Sequence, residues 1–335
     1  MINKIKNAIL ASKLVVTVIQ FYAQITIGKS KLPLKSIIHY TLQEIEDDDV
    51  SGRAASVSFN FLMAIFPSVI FLFTLIPYIP IPNLAPQILA YLKEIMPNAL
   101  YSVASDTITD IISKPRSGLL SFGFLFAWFA ALNGTLAIIE AFNKMHQTHE
   151  KRGFIKKRLV AGFLIFLLAM VLVSSVVLLF VGQVVLDYVT EKEMLSDILV
   201  WLGVISKKEV VDTYIVLLGI NILRYSVVIF SFFMAIALIY KIAPSSKKKW
   251  NFVSAGSVFA TLLGILSSYL FSIYITNFAT YNKLYGSIGT LIGLMLWLYL
   301  LANILLIGFE LNVAIDHTKQ DLQESKNNKD NAIDI

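Results

Sequence analysis

The stretch "LYGSIGTLIGLMLWLYLLANILLIGFELNVAI", Leu284–Ile315, carries no charge before Glu310 and closes on Glu-Leu-Asn. A helix needs roughly 20 consecutive apolar residues to cross a hydrocarbon core ~30 Å thick, and within that core it satisfies its own backbone hydrogen bonds. This stretch is long enough to do so. Five others resemble it: Ala54–Pro80, Gly118–Phe142, Leu159–Val189, Thr213–Ala243 and Trp250–Ala279. With 57% hydrophobic and 15% charged residues in a chain of 335, there is too little polar surface to cover a water-soluble globule. The expected fold is therefore all-α and polytopic, with six transmembrane helices. Pro67, Pro77 and Pro80 interrupt the first span and predict a bend near its middle and a frayed outer end.

Lys and Arg residues beside a span are retained on the cytoplasmic side. Assigning successive connections to alternate sides gathers 20 of the 28 basic residues on one side, among them Arg53, Lys144, Arg152, Lys157, Lys241 and Lys319, against 7 on the other. Arg224 is left over, inside the fourth span. Both termini are expected in the cytoplasm, with the chain in a bacterial inner membrane. Basic loops beside anionic lipid also account for the net charge of +6. Membrane lipids, not nucleic acid, are the expected partners.

Residues 1–53 read as cytoplasmic amphipathic N-terminal helices. Ile2–Ile27 is interrupted by Lys13, Gln20 and Gln24 and suits a membrane interface; no small-x-small cleavage site follows it, which argues against a secretory signal. A second helix, Leu34–Ile45, ends in the acidic run Glu46 to Asp49. Residues 54–316 form the transmembrane domain. Between its first two spans, Leu84, Ile88, Leu92 and Ile95, then Leu100, Val103, Ile108 and Ile111, recur at helical spacing and predict an extracytoplasmic amphipathic pair hinged at Pro97. Residues 317–335 are polar without a repeating apolar face, so a disordered cytoplasmic tail is expected.

The segment "DDDVSGRAASVSFNFLMAIFP", Asp47–Pro67, resembles the start of the YihY/BrkB family of bacterial inner membrane proteins, in which an acidic stretch, an Arg-Ala-Ala step and an aromatic lead to a Phe-Pro. The closing span is similar to that family's last, with Tyr-Gly-Ser, later glycines, a Trp-x-Tyr pair and Gly-x-Glu-Leu-Asn. The likeness runs from about Leu34 to about Asp316. The family has been called ribonuclease-like and linked to virulence and serum resistance, so the resemblance raises a nuclease as one reading.

The residues speak against that reading. A hydrolytic phosphodiesterase usually holds divalent metal with clustered His and carboxylate ligands. The histidines are His39, His146, His149 and His317; His146-x-x-His149 followed by Glu150 gives three groups in one polar loop, with no further ligand evident. The chain has no cysteine and hence no thiolate metal site or disulfide. Neither a nucleophile elbow nor a Walker loop is present, so no enzyme activity, metal or cofactor is expected.

Polar groups inside spans are the better guide, because burying a charge in a bilayer costs several kcal/mol. Arg224 lies about 11 residues into span four, roughly 16 Å from its outer end. With Asn60, Asn133, Asn221 and Asn303 it is the candidate lining of a cavity for an anionic or amphipathic substrate. Ser56, Asn60, Pro67 and Thr74 share one narrow face of span one, expected to point inward. Ser254, Ser257, Thr261, Gly264 and Ser268 form a small-residue seam on span five, and Gly286, Gly289 and Gly293 open span six in the same manner. Glu310 lies about 37 Å along the last helix from Tyr285, at the level of Arg53 and Glu140. It is expected to pair with Arg53 or Lys144 and to act as a lock or gate at the cytoplasmic end. Two functions follow: a passive or ion-coupled transporter of an anionic or amphipathic metabolite or lipid, or a membrane scaffold that holds partner proteins or lipids without transport.

Overall fold

The computed structural model describes residues 26–27, 32–79, 84–95, 98–145, 150, 152–191, 213–245, 251–277 and 287–333. Strand β1, Thr26–Ile27, pairs antiparallel with β2, Leu32–Pro33. The helices are α1, Leu34–Asp47; α2, Val50–Leu75; α3, Leu84–Ile95; α4, Asn98–Ser113; α5, Ser117–Met145; α6, Phe154–Glu191; α7, Thr213–Ile242; α8, Ala255–Asn277; and α9, Ser287–Ile333. Six of them, α2 and α5 to α9, are long and apolar enough to cross a membrane. The all-α polytopic fold read from hydropathy is the fold observed.

The six spans close into a ring: α2 packs on α5, α5 on α6, α6 on α7, α7 on α8, α8 on α9, and α9 returns to α2. The buried core is concentrated at the end of the ring flanked by the basic connections, hereafter the basic end. There Val50, Ala54 and Val57 of α2 meet Ile139 and Phe142 of α5, Ala161 and Leu164 of α6, Tyr240 of α7, Ala260 of α8, and Leu306 and Phe309 of α9. α2 continues through Pro67, as a membrane helix can when its neighbours hold it, and gives way at Ile76–Tyr78 to a 3-10 turn containing Pro77. The amphipathic pair forms as α3 and α4. Ile108 and Ile112 of α4 pack with Ile76 under Leu84, Ala85 and Ile88 of α3, so the pair buries its apolar faces on the far end of α2.

Three expectations change. Most of Ile2–Ile27 lies outside the described residues, and Thr26–Ile27 is strand. The tail expected to be disordered from residue 317 instead continues α9 to Ile333. The turns leading into it are held by tertiary contact, Leu311, Ala314 and Ile315 packing against Leu32, Ile37 and Tyr40, and the Tyr40 hydroxyl donates to Asp321 Oδ2 of the tail at 2.7 Å. A polar sequence without an apolar stripe of its own can be helical when it extends a helix already nucleated. On α2, the face that turns inward is Ala54, Val57, Ser58 and Leu62; of the polar stripe, Ser56 is exposed and Asn60 half-buried, and Thr74 is buried. α2 is clasped by α5 on one side and α9 on the other, so its buried arc is set by both neighbours and is displaced from the stripe.

Candidate functional site

The basic end is organised by the corner between α1 and α2. The Asp48 N–H donates to the Glu44 carbonyl at 2.9 Å and ends α1. Asp49 then takes a left-handed conformation, φ 48° and ψ 51°, which Asp tolerates better than most residues, and its carboxylate accepts from the Gly52 N–H at 3.2 Å to cap α2. This turn points Asp48 back at the first turn of α2. There Arg53 Nη2 lies 3.5 Å from Asp48 Oδ1, and Nη1 donates to the Ala141 carbonyl of α5 at 3.3 Å.

Glu310 of α9 is completely buried at this corner. Its carboxyl meets that of Asp48, with Glu44 and the Arg53 guanidinium beside them. Among the described residues, neither Glu310 oxygen has a hydrogen-bond partner, and Asp48 Oδ2 has none either. The expected Glu310–Arg53 or Glu310–Lys144 lock is thus not the arrangement found. Arg53 takes Asp48, which the α1–α2 turn delivers from five residues away, and Glu140 takes Lys157 of α6. Burial, then the neighbouring charge of Asp48, pushes the Glu44 carboxyl above its ordinary range, while His317 opposes the shift.

A second knot ties the end of span two and the connection that follows it to the end of span four. Glu150 accepts from Arg152 Nε at 2.9 Å and Nη2 at 3.0 Å, and also from Asn143 Nδ2. Asn143 Oδ1 accepts from the Ser245 N–H at 2.8 Å, and Arg152 Nη2 donates to the Ala243 carbonyl at 2.8 Å. Glu150 is therefore committed to structure; His146 and His149 lie outside the described residues. Among the described residues no group of three or more His, Asp or Glu side chains is placed to hold a metal ion.

One layer inward sits an aromatic cluster. Phe142 and Phe309 stack with centroids 4.1 Å apart, Tyr240 meets both edge-on at 5.6 and 5.7 Å, and its hydroxyl donates to the Leu305 carbonyl at 2.7 Å. Beyond this layer lies a cavity of about 240 Å³. Val57, Ser58 and Phe61 of α2, Ile138 of α5, Phe232 and Ile236 of α7, Gly264 of α8, and Leu301, Ala302 and Leu305 of α9 line it. Five of the six spans contribute to it, and the lining is almost wholly apolar.

The residues singled out from sequence lie elsewhere. Asn60 Nδ2 donates to the Ser56 carbonyl and Asn303 Nδ2 to the Tyr299 carbonyl, each at 2.8 Å and each within its own helix. Asn133 is half-buried on α5, Arg224 is exposed on α7, and the Asn221 side chain lies outside what is described. None of the five is among the cavity lining. The span-five seam does pack as expected: Ser257 and Thr261 are buried, and α8 meets α9 there. Sequence reading missed Asn312, whose Oδ1 accepts from the Gly256 N–H at 2.8 Å and whose Nδ2 donates to Ser254 Oγ at 3.0 Å, capping the start of α8. It also gave no role to Asp48, Asn143 or Tyr240. For Asn312 the signal was present, a polar residue two positions after Glu310 in an otherwise apolar run.

A sequence model of the family described as Virulence factor BrkB matches residues 41–333. The chain is 31% identical over 287 residues to a Bacillus subtilis (strain 168) protein named ribonuclease-like YfkH, covering 84% of this chain and 94% of that one. It is 25% identical over 288 residues to a UPF0761 membrane protein of Vibrio parahaemolyticus, covering 84% of each. A UPF0761 membrane protein of Coxiella burnetii is 22% identical over 287 residues, covering 80% of this chain and 89% of the relative. No solved structure matches the chain.

Proposed function

We propose that this chain, which belongs to the BrkB family of membrane proteins, moves an amphipathic, lipid-like molecule across the bacterial inner membrane with both termini in the cytoplasm. The observation that carries the reading is the apolar cavity inside the ring of spans. Apolar surface left without neighbours forfeits dispersion contacts, and a cavity of about 240 Å³ that opens to its surroundings leaves such energy to be recovered by whatever fills it. An acyl chain recovers that energy. A hydrated anion does not, because it would lose its water without gaining hydrogen-bond partners from such a lining. Of the anionic and amphipathic cargoes that sequence allowed, the lining favours the amphipathic one. The aromatic cluster and the Asp48–Arg53–Glu310 corner then close the basic end beneath the cavity, as a cytoplasmic gate would. With no ATP-binding motif in the sequence, movement is passive or coupled to an ion.

The scaffold reading draws on a different observation, the backbone-close packing of α8 on α9, which needs no cargo. One experiment separates the two. Purified protein is reconstituted into vesicles of phosphatidylethanolamine and phosphatidylglycerol containing a fluorescently labelled phospholipid, and transfer of the label between leaflets is followed by quenching from outside. Transport predicts faster transfer than in protein-free vesicles, slowed by Ala302→Phe, which fills the cavity. No acceleration by protein of native melting temperature would sink the transport reading and leave the scaffold.

A further inference from the structure

The buried corner between α1, α2 and α9 holds more acid than its cation can neutralise. Glu310 has no exposed surface, and its two oxygens, together with Asp48 Oδ2, lack hydrogen-bond donors among the described residues. Three carboxyl groups, Glu44 from α1, Asp48 from the turn that follows it and Glu310 from α9, face a single guanidinium, Arg53 of α2. Arg53 is already divided between Asp48 Oδ1 and the Ala141 carbonyl, which is all that α5 contributes in hydrogen bonds to this cation. Farther out, Asp47 and His317 face Glu44. Two carboxylates in contact away from water repel strongly and lose solvation, and the simplest relief is one hydrogen between them, which at the same time supplies the missing donor.

We propose that Glu310 and Asp48 hold one exchangeable proton between them, forming a proton-binding site at the basic end of the ring, with Glu44 as its connection to solvent. The proton forms an O–H on one carboxyl and a hydrogen bond to the other; no further reactant is needed. The route outward is graded: Glu310 is fully buried, Asp48 and Glu44 are half-buried, and Glu46 and Asp47 are exposed. A metal ion fits less well, since the described side chains do not form a metal-holding group there. The site adjoins the aromatic layer through Phe309, the residue before Glu310. Its occupancy stands independently of what the cavity carries, and the test reads protonation rather than transport.

Infrared difference spectroscopy of the purified full chain in detergent, titrated from acid to alkaline pH, reads the carboxylic-acid C=O band. The expected result is a band from a buried protonated carboxyl that bleaches as the pH rises. Glu310→Gln removes it. Asp48→Asn shifts its frequency and moves its midpoint by about one unit or more, because the like-charged neighbour is gone. Glu44→Gln retains the band. Absence of any such band in the wild type overturns the proposal, as does a band and midpoint unchanged in Asp48→Asn, which serves as the second variant should Glu310→Gln not fold. A melting temperature raised at fixed pH by sodium or calcium chloride, but not by choline chloride at equal ionic strength, overturns it in favour of a metal cation.

Discussion

A methyl group on Gly256 would overlap the carbonyl oxygen of Gly308, so α8 and α9 meet backbone to backbone. A methyl on Gly308 would in turn come within 2.8 Å of Ala260 Cβ and overlap the Tyr240 hydroxyl. Membrane helices associate largely through such close packing, since lipid is as apolar as their side chains. Gly256→Ala is expected to destabilise the protein by roughly 1–3 kcal/mol, as overpacking does, and to lower its melting temperature in detergent. Gly264→Ala should cost less, because the obstruction there, 2.8 Å away, is the ring edge of Phe232, a side chain that can turn. Equal melting temperatures for the two variants would refute the ranking.

The Glu150 knot predicts a pH dependence. Burial alone would raise this carboxyl, but the side-chain and backbone hydrogen bonds from Arg152, its charge and Asn143 together hold it below its ordinary value of 4.5. A depressed folded-state value means stabilisation that is complete above the unfolded-state value and lost as the pH falls through the folded one. Glu150→Gln is expected to melt at a lower temperature at neutral pH, by roughly 1–3 kcal/mol of stability, and to lose less than the wild type as the pH is lowered from 5 to 3. Parallel melting curves for the two proteins across that range would contradict the assignment.

Tyr40 and Asp321 fasten α1 to the end of α9. Tyr40→Phe removes one hydrogen bond to a charged group at an exposed site, worth about 1 kcal/mol. Hydrogen exchange over residues 317–333 should quicken while exchange in the buried turns around Leu306 stays unchanged. Uniform exchange in both proteins would show that the helical tail does not depend on this contact.

Arg224 is exposed on α7 and away from the cavity lining. Arg224→Gln is expected to change transfer more than it changes the melting temperature. If its charge meets an anionic head group, Arg224→Gln slows transfer of labelled phosphatidylglycerol whereas Arg224→Lys does not. Equal destabilisation by both substitutions would instead mark the planar guanidinium as a structural cap.

The asymmetry of 20 basic residues against 7 predicts that both termini lie in the cytoplasm. A reporter fused after Ile335 should be active as a cytoplasmic reporter and silent as a periplasmic one. The opposite result would invert the proposed orientation, and with it the side on which the aromatic layer closes the ring.

Six spans, an amphipathic pair between the first two and a small-residue seam on the fifth span were all legible in the sequence, because hydropathy and helical spacing are local properties that a bilayer enforces segment by segment. Glu310 could likewise be placed at the level of Arg53 by counting rise along a helix. Its partner could not. A turn as small as Asp48–Asp49, with one left-handed residue, decided that Arg53 would meet Asp48 and leave Glu310 facing a second acid. The same holds for Asn60 and Asn303, which on a helical wheel looked like the lining of a shared cavity and instead satisfy carbonyls one turn back. Which face of each span turns inward depends on the two neighbours that clasp it in the closed ring. Those contacts join residues far apart in the chain, so only the tertiary structure decides where a buried polar group finds a partner and where it is left with none.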